Sequence, residues 1–244
     1  MRLTKALLGV FGLTACGGEP GVEVDAFLEA SESVTFDTVT ELGPHRLESV
    51  LSWERGVRRG GVSTETLELL WGDWDNFQVR RIRDGRMASE VRVVRGVAYS
   101  RSGSGRFRKA NDAELYRVQL AGTWSYWERA LEPFMGRVEA VRGEDAVVEG
   151  RAAYRYSIGL GPLVPEMERR RAHIPQALEG ALVLDSALAL RLSAELQGTY
   201  WESGDEERPV DVRLTVQRSD LGGFPDLKVP SNPRRRSVMG KSGK

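Results

Sequence analysis

The sequence is poor in metal ligands and thiols. One cysteine, Cys16, stands in 244 residues. A single thiol excludes an intrachain disulfide framework and any multi-cysteine zinc site. The two histidines, His45 and His173, are too few for a His-rich metal centre. Charge of one sign is also missing: 35 basic residues balance 35 acidic ones. A chain without net charge is not built to hold a polyanion over its whole surface. No hydrophobic run reaches the length of a membrane-spanning helix. Internal repeats are absent. So are the nucleophile elbow, the H-E-x-x-H zinc motif and the phosphate-cradling loop. Ser102-Gly103-Ser104-Gly105 reads as a turn. Asp73/Asp75 and Asp205/Glu206/Glu207 read as solvated loop acids without calcium-loop spacing. The expectation is therefore no catalysis, no metal and no cofactor. What is present is an ordinary globular composition, 41% hydrophobic, in a chain long enough to bury a proper core.

The N-terminus reads as an address. Arg2 and Lys5 precede a short apolar run, Ala6 to Leu13, which has signal-peptide flanks. It ends in Leu13-Thr14-Ala15-Cys16. The stretch is open to two other readings, an ordinary secretory signal or a buried strand with a chance cysteine. With Gly17-Gly18-Glu19-Pro20 behind it, it resembles the lipobox of bacterial lipoproteins. That resemblance implies cleavage after Ala15 and a diacylglycerol on the Cys16 sulfur. Gly17 implies sorting to the outer membrane, with the periplasmic side favoured over the cell surface. At about 0.8 kcal/mol per buried CH₂, two or three acyl chains make such an anchor effectively permanent. The expected organisation is a signal peptide (1–15), a tether (16–21), a folded domain (22–230) and a basic, disordered tail (231–244). Cleavage removes Arg2 and Lys5, so the mature chain carries 33 basic and 35 acidic side chains.

The folded part is expected to be mainly β. A short amphipathic helix is expected over 22–34. Strands are expected over 34–42, 46–54, 62–71, 76–83, 86–95 and 97–101, with Asp84-Gly85 as a hairpin turn. Tyr116, Leu120, Trp124, Trp127 and Leu131 recur at helical spacing and predict one helix over 112–131, ended by Pro133. Strands resume at 137–142 and 145–160. Residues 165–178 form a short segment, helical near Glu166 to Ala172. Leu188, Leu190, Leu192, Ala194 and Leu196 alternate with polar or small residues. After a polar loop, Glu202 to Pro209, the same alternation returns at Val210, Val212, Leu214 and Val216. Period two places each set on one face of an antiparallel sheet.

With no βαβ alternation, about ten strands are expected to form a single curved antiparallel sheet, its apolar face covered by the 112–131 helix. The stretches 84–107, 180–201 and 210–230 resemble strands of the lipoprotein-carrier superfamily, the LolA, LolB, LppX and LprG half-barrels. This resemblance implies a hydrophobic hollow for lipid or lipoprotein acyl chains and no chemistry. The candidate lining is Tyr116, Leu120, Trp124, Trp127, Tyr154, Tyr156, Ile158, Leu190, Leu192, Val212 and Leu214. Each of these is either plain core or cavity wall. The charged strands, with Arg80, Arg81, Arg83, Arg92 and Arg95, weigh against a large open hollow. Two functions follow as expectations. One is a lipid-anchored carrier of acyl chains. The other is a lipid-anchored scaffold of an envelope complex, with a packed interior and a protein partner. The runs Arg169-Arg170-Arg171 and Arg234-Arg235-Arg236 are solvated faces or aids to docking on an anionic membrane, at about 1 kcal/mol per residue. Nucleic acid is not an expected partner.

Overall fold

The computed structural model describes residues 36–56, 61–110, 113, 114, 116, 126–162, 172–223, 226–231 and 233. The expected signal peptide, Cys16, the helix over 22–34, Leu120, Trp124, Arg169 to Arg171 and the tail beyond 233 lie outside these residues.

Eleven strands form one sheet: β1 (His45–Arg55), β2 (Val62–Asp73), β3 (Asn76–Arg83), β4 (Arg86–Val94), β5 (Val97–Ser102), β6 (Arg108–Lys109), β7 (Val138–Val148), β8 (Arg151–Leu160), β9 (His173–Asp185), β10 (Arg191–Glu202) and β11 (Asp205–Ser219). Their order is β6-β5-β4-β3-β2-β1-β11-β10-β9-β8-β7. Every neighbouring pair is antiparallel. The chain thus makes two meanders, joined at the centre where the first strand pairs with the last. The sheet does not close: its edges are β6 and β7, and the chain between them must pass from one side of the sheet to the other. On that crossing lie a five-residue helix, α2 (Trp127–Leu131), and a 3₁₀ turn, Glu132–Phe134.

The alternation read from the sequence sets the faces. Val210, Val212, Leu214 and Val216 are all buried, as are Leu190, Leu192, Ala194 and Leu196. They share an inner face with Leu47 and Leu51 of β1 and Leu67, Leu69 and Trp71 of β2. Leu51 stands opposite Leu214, and Trp53 opposite Val212. Trp127, Ala130, Leu131 and Phe134 press onto this face and are at most 2% exposed. Phe134 is seated by a missing side chain. A Cβ on Gly198 would lie 2.5 Å from its ring. Burying one such ring is worth about 3–5 kcal/mol against truncation. The Asp84-Gly85 hairpin turn is present, with φ of 49° and 72°, the left-handed pair that such turns demand.

Four expectations are corrected. Residues 34–42 were expected as a strand, but Phe36–Leu42 is a helix, α1. Val39 and Leu42, three apart, are its buried positions while Thr40 and Glu41 are exposed, a helical rather than a two-residue period. The helix ends where the Gly43 N–H donates to the Thr40 carbonyl at 3.1 Å. The single helix over 112–131 is broken at Tyr126, a bend whose N–H donates to Ser49 Oγ at 3.2 Å rather than within a helix. The strand end expected near residue 142 is a bulge between Arg142 and Asp145 inside β7, and the hairpin turn is Glu149-Gly150. The polar stretch 202–209 is mostly strand, with the turn confined to Ser203-Gly204. Ser203, Gly204 and Arg208 are exposed there and Glu202 and Asp205 half-buried, which suits polar residues at the β10–β11 hairpin tip.

β9 ends at Asp185. Asp185 Oδ1 accepts the N–H groups of Ala187 and Leu188, at 3.0 and 2.9 Å, and Oδ2 accepts Arg151 Nε at 2.5 Å. Burial pushes the Asp185 carboxyl up, but Arg151 and the two amides outweigh burial and hold it below the ordinary value.

Candidate functional site

Two polar groups interrupt the inner face, and they lie toward opposite ends of β1. His45 begins β1 and is 1% exposed. It donates from Nδ1 to the Gly43 carbonyl at 2.8 Å and accepts Arg218 Nη1 on Nε2 at 2.5 Å. Arg218 continues the Val210-to-Val216 face and donates Nε to the Arg191 carbonyl at 2.7 Å. Arg191 pairs with Glu128 at 3.0 Å and lies 5.2 Å from the Trp127 ring. Among the described residues no carboxylate pairs with Arg218. Burial, then the Arg218 charge, pushes His45 down to about 3. Burial and Arg191 push Arg218 down to about 9, still charged at neutral pH. Both His45 nitrogens are engaged and the ring is sealed from solvent, so this group ties strands together and offers no base to a substrate.

Toward the other end, Glu65 sits on β2 with the parity of Leu67 and Leu69. It accepts Arg83 Nε and Nη2, at 3.1 and 2.6 Å, and Arg129 Nη1 at 2.8 Å. Arg83 is its cross-strand partner. Burial pushes Glu65 up, but the two guanidiniums outweigh it and keep the carboxylate ionised below its ordinary value. Arg129, on α2, lies 4.9 Å from the Trp53 ring and 5.4 Å from the Tyr126 ring. These contacts hold it across the mouth of the sheet.

Beside Arg129 opens a cleft of about 480 Å³. Its walls are Trp53, Arg129, Pro133, His173, Tyr200 and Val210. Tyr200 is fixed edge-on to Phe134 at 6.0 Å and to His173 at 5.0 Å. Arg55, at the rim, is held by Glu202 at 2.7 Å. Val212 stands opposite Trp53, and the Phe134 ring packs over Gly198. The cleft is of mixed character and more polar than apolar: Trp53, Pro133, Tyr200 and Val210 alternate with Ser63, Glu132 and His173, and the arginines at its rim are neutralised. Its volume lies within the range of small-molecule sites, about 300–1,000 Å³.

The residues expected from the sequence to line a hollow are mostly core. Trp127, Ile158, Leu190, Leu192, Val212 and Leu214 are at most 4% exposed and belong to one packed cluster. Tyr156 and Tyr116 are half-buried against that cluster, and Tyr116 donates its hydroxyl to Ser100 Oγ at 3.0 Å. Tyr154 is half-buried under the Arg142 guanidinium, 3.9 Å from its ring. Leu120 and Trp124 lie outside the described residues. Of the cleft walls, only Val210 belongs to a run that the sequence singled out. Trp53 and Tyr200 are aromatics late in apolar strands, a weak signal. Nothing local marks Arg129 or His173.

A third polar group lies on the outer face. Glu90 is fully buried there by Arg92 at 2.6 Å, Arg101 at 2.5 Å and Arg80 at 3.6 Å. The Phe107 ring lies 4.9 Å from Arg92 and 4.7 Å from Arg101. Burial raises the Glu90 carboxyl, but Arg92 and Arg101 outweigh it and hold it ionised.

Among the described residues no group of three or more His, Cys, Asp or Glu could hold a metal ion, and no helix is long and apolar enough to cross a membrane. No protein-family model and no curated protein matches the sequence. Solved structures do. The lipoprotein LppX of Mycobacterium tuberculosis matches with 8% identity and a TM-score of 0.34, over 86% of this chain and all of that one. A LolA superfamily protein from Nitrosomonas europaea matches with 8% identity and a TM-score of 0.26, over 84% and 94%. MucB, in its Pseudomonas aeruginosa complex with MucA, matches with 18% identity and a TM-score of 0.29; the chain covers 84% of itself but only 59% of MucB. At such values the likenesses leave function to be read from the site.

Proposed function

We propose that the chain is a non-catalytic binding protein of the bacterial cell envelope, anchored to the outer membrane through an acylated Cys16. Its ligand is an amphipathic molecule with one acyl chain, taken at the mouth cleft. The observation that carries this reading is the cleft itself. It offers about 480 Å³ between Trp53, Arg129, Pro133, His173, Tyr200 and Val210, beside the packed core. An acyl chain would lie against the aromatic walls and a polar head at the arginine rim. Val212 and Leu214 are core in this reading, packed behind the cleft walls. Native mass spectrometry after mild extraction tests it, together with uptake of a fluorescent fatty acid. One lipid per chain and saturable uptake, weakened by Trp53→Ala, are expected. Absence of both would end the reading.

A second reading rests on a different observation. Trp127, Leu131 and Phe134 fill the hollow of the sheet, as in an interaction module with a packed interior. Cross-linking in whole cells separates the two. A reproducible protein partner at the cleft or an edge strand, with no lipid, favours the module.

A further inference from the structure

The charges of this formally neutral chain are unevenly placed. Residues 76–110, strands β3 to β6 with their turns, hold 10 basic and 2 acidic side chains, against 25 and 33 in the rest. One of the two acids, Glu90, is buried under arginines. The other, Asp84, spends Oδ1 on the Thr64 N–H at 2.8 Å. Five of the seven exposed basic residues gather at one end of this wing, while Arg95 lies in the β4–β5 turn at the other end and Lys109 on β6. Arg81, Arg83 and Arg86 flank the β3–β4 turn, and Arg106 and Arg108 follow the β5–β6 turn. These turns are neighbours, since the Gly103 N–H donates to the Ala88 carbonyl at 3.0 Å. Among the described residues only Arg83 of these five forms an ion pair, with Glu65.

We propose that the β3–β6 wing docks onto an anionic phospholipid bilayer. The surface potential of such a bilayer fades within a Debye length, about 8–10 Å. Only basic groups presented close together can use it, and here Arg81, Arg86, Arg106 and Arg108 cluster about two neighbouring turns. The choice of a bilayer over other polyanions rests on the anchoring proposed above. The chain from Cys16 to Phe36 spans at most about 70 Å when fully extended. An acylated chain therefore holds the wing at high effective concentration beside a membrane.

The test uses the whole mature chain with Cys16→Ser, which removes the acyl contribution. Co-sedimentation is measured with phosphatidylcholine vesicles, with and without phosphatidylglycerol, at low and high salt. Binding is expected only to the anionic vesicles and should weaken as salt rises. The combined Arg81→Gln, Arg86→Gln, Arg106→Gln and Arg108→Gln variant should lose several hundredfold in affinity, at roughly fivefold per residue. The same four positions changed to Lys should keep binding, which separates charge from folding. A control with Arg142→Gln, Arg155→Gln, Arg208→Gln and Arg213→Gln should lose only a small part. Equal losses in both Gln sets, equal binding to neutral vesicles, or tighter binding to duplex DNA or an acidic polypeptide would overturn the proposal. Palmitate labelling in cells reads the anchor separately. An acylated chain whose Cys16→Ser form ignores anionic vesicles sinks the wing alone. A chain that binds vesicles but takes no palmitate sinks the anchor alone.

Discussion

Acid should weaken the fold through one residue before any carboxylate contributes. In the folded chain His45 is buried, donates to the Gly43 carbonyl, and faces the Arg218 guanidinium. Its pKa falls from 6.5 to about 3. A histidine that is neutral when folded and free to charge when unfolded costs nothing above pH 6.5. As pH drops below that value, the unfolded chain gains a proton that the folded chain refuses. Each pH unit then removes about 1.4 kcal/mol of stability, until the folded pKa is reached. Between pH 7 and pH 5 the loss is about 2 kcal/mol. Glu65, Glu90 and Asp185 have lowered folded values. Their stability is therefore lost only as pH falls below the ordinary carboxylate range, which leaves the pH 7–5 window to His45. The perturbation is His45→Gln, whose amide can donate to Gly43 and accept from Arg218 without titrating. Urea unfolding at pH 7, 6 and 5 reads the difference. The wild type should lose about 2 kcal/mol more than the variant across that range. Parallel losses in the two proteins would show that His45 charges in the folded state, and the sealed His45–Arg218 contact would then be wrong.

Three further outcomes follow from the packing. Phe134→Ala should cost about 3–5 kcal/mol in urea unfolding, because its ring is fully buried over Gly198; a loss under about 1 kcal/mol would mean that the ring is not packed. Glu90→Gln should cost about 3 kcal/mol, since Arg80, Arg92 and Arg101 converge on one buried carboxylate; calorimetry showing an unchanged melting temperature would assign their solvation to water. Cys16→Ser should block palmitate incorporation and let high salt strip the chain from the membrane fraction, and attachment that survives high salt in this variant would refute the lipid anchor.

The inner face was legible because it repeats every two residues. Val210 to Val216 and Leu190 to Leu196 each show one apolar and one polar side, and Asp84-Gly85 has the chemistry of a tight turn. The helix Phe36–Leu42 was hidden by its Val and Thr content, which suits strands, while Phe36, Val39 and Leu42 carry the period of three. The pairing of β1 with β11 depends on residues about 170 positions apart and has no local signature. The same distance hid the cleft, where Trp53, Arg129 and Tyr200 converge from three parts of the chain. Glu90 was unreadable for another reason. A carboxylate on the polar side of a strand ordinarily faces water, and this one is buried by Arg92 on its own strand together with Arg80 and Arg101 on the neighbouring strands.

The claim that the mouth cleft takes an acyl-bearing ligand is tested most directly by photo-cross-linking. The purified chain is incubated with a fatty acid carrying a diazirine near its methyl end, irradiated, digested and read by mass spectrometry. The account predicts adducts on the peptides holding Trp53, Pro133, Tyr200 and Val210, reduced by excess unlabelled fatty acid and lost in Trp53→Ala. Adducts scattered over the outer strands, or labelling that competitor leaves unchanged, would contradict it.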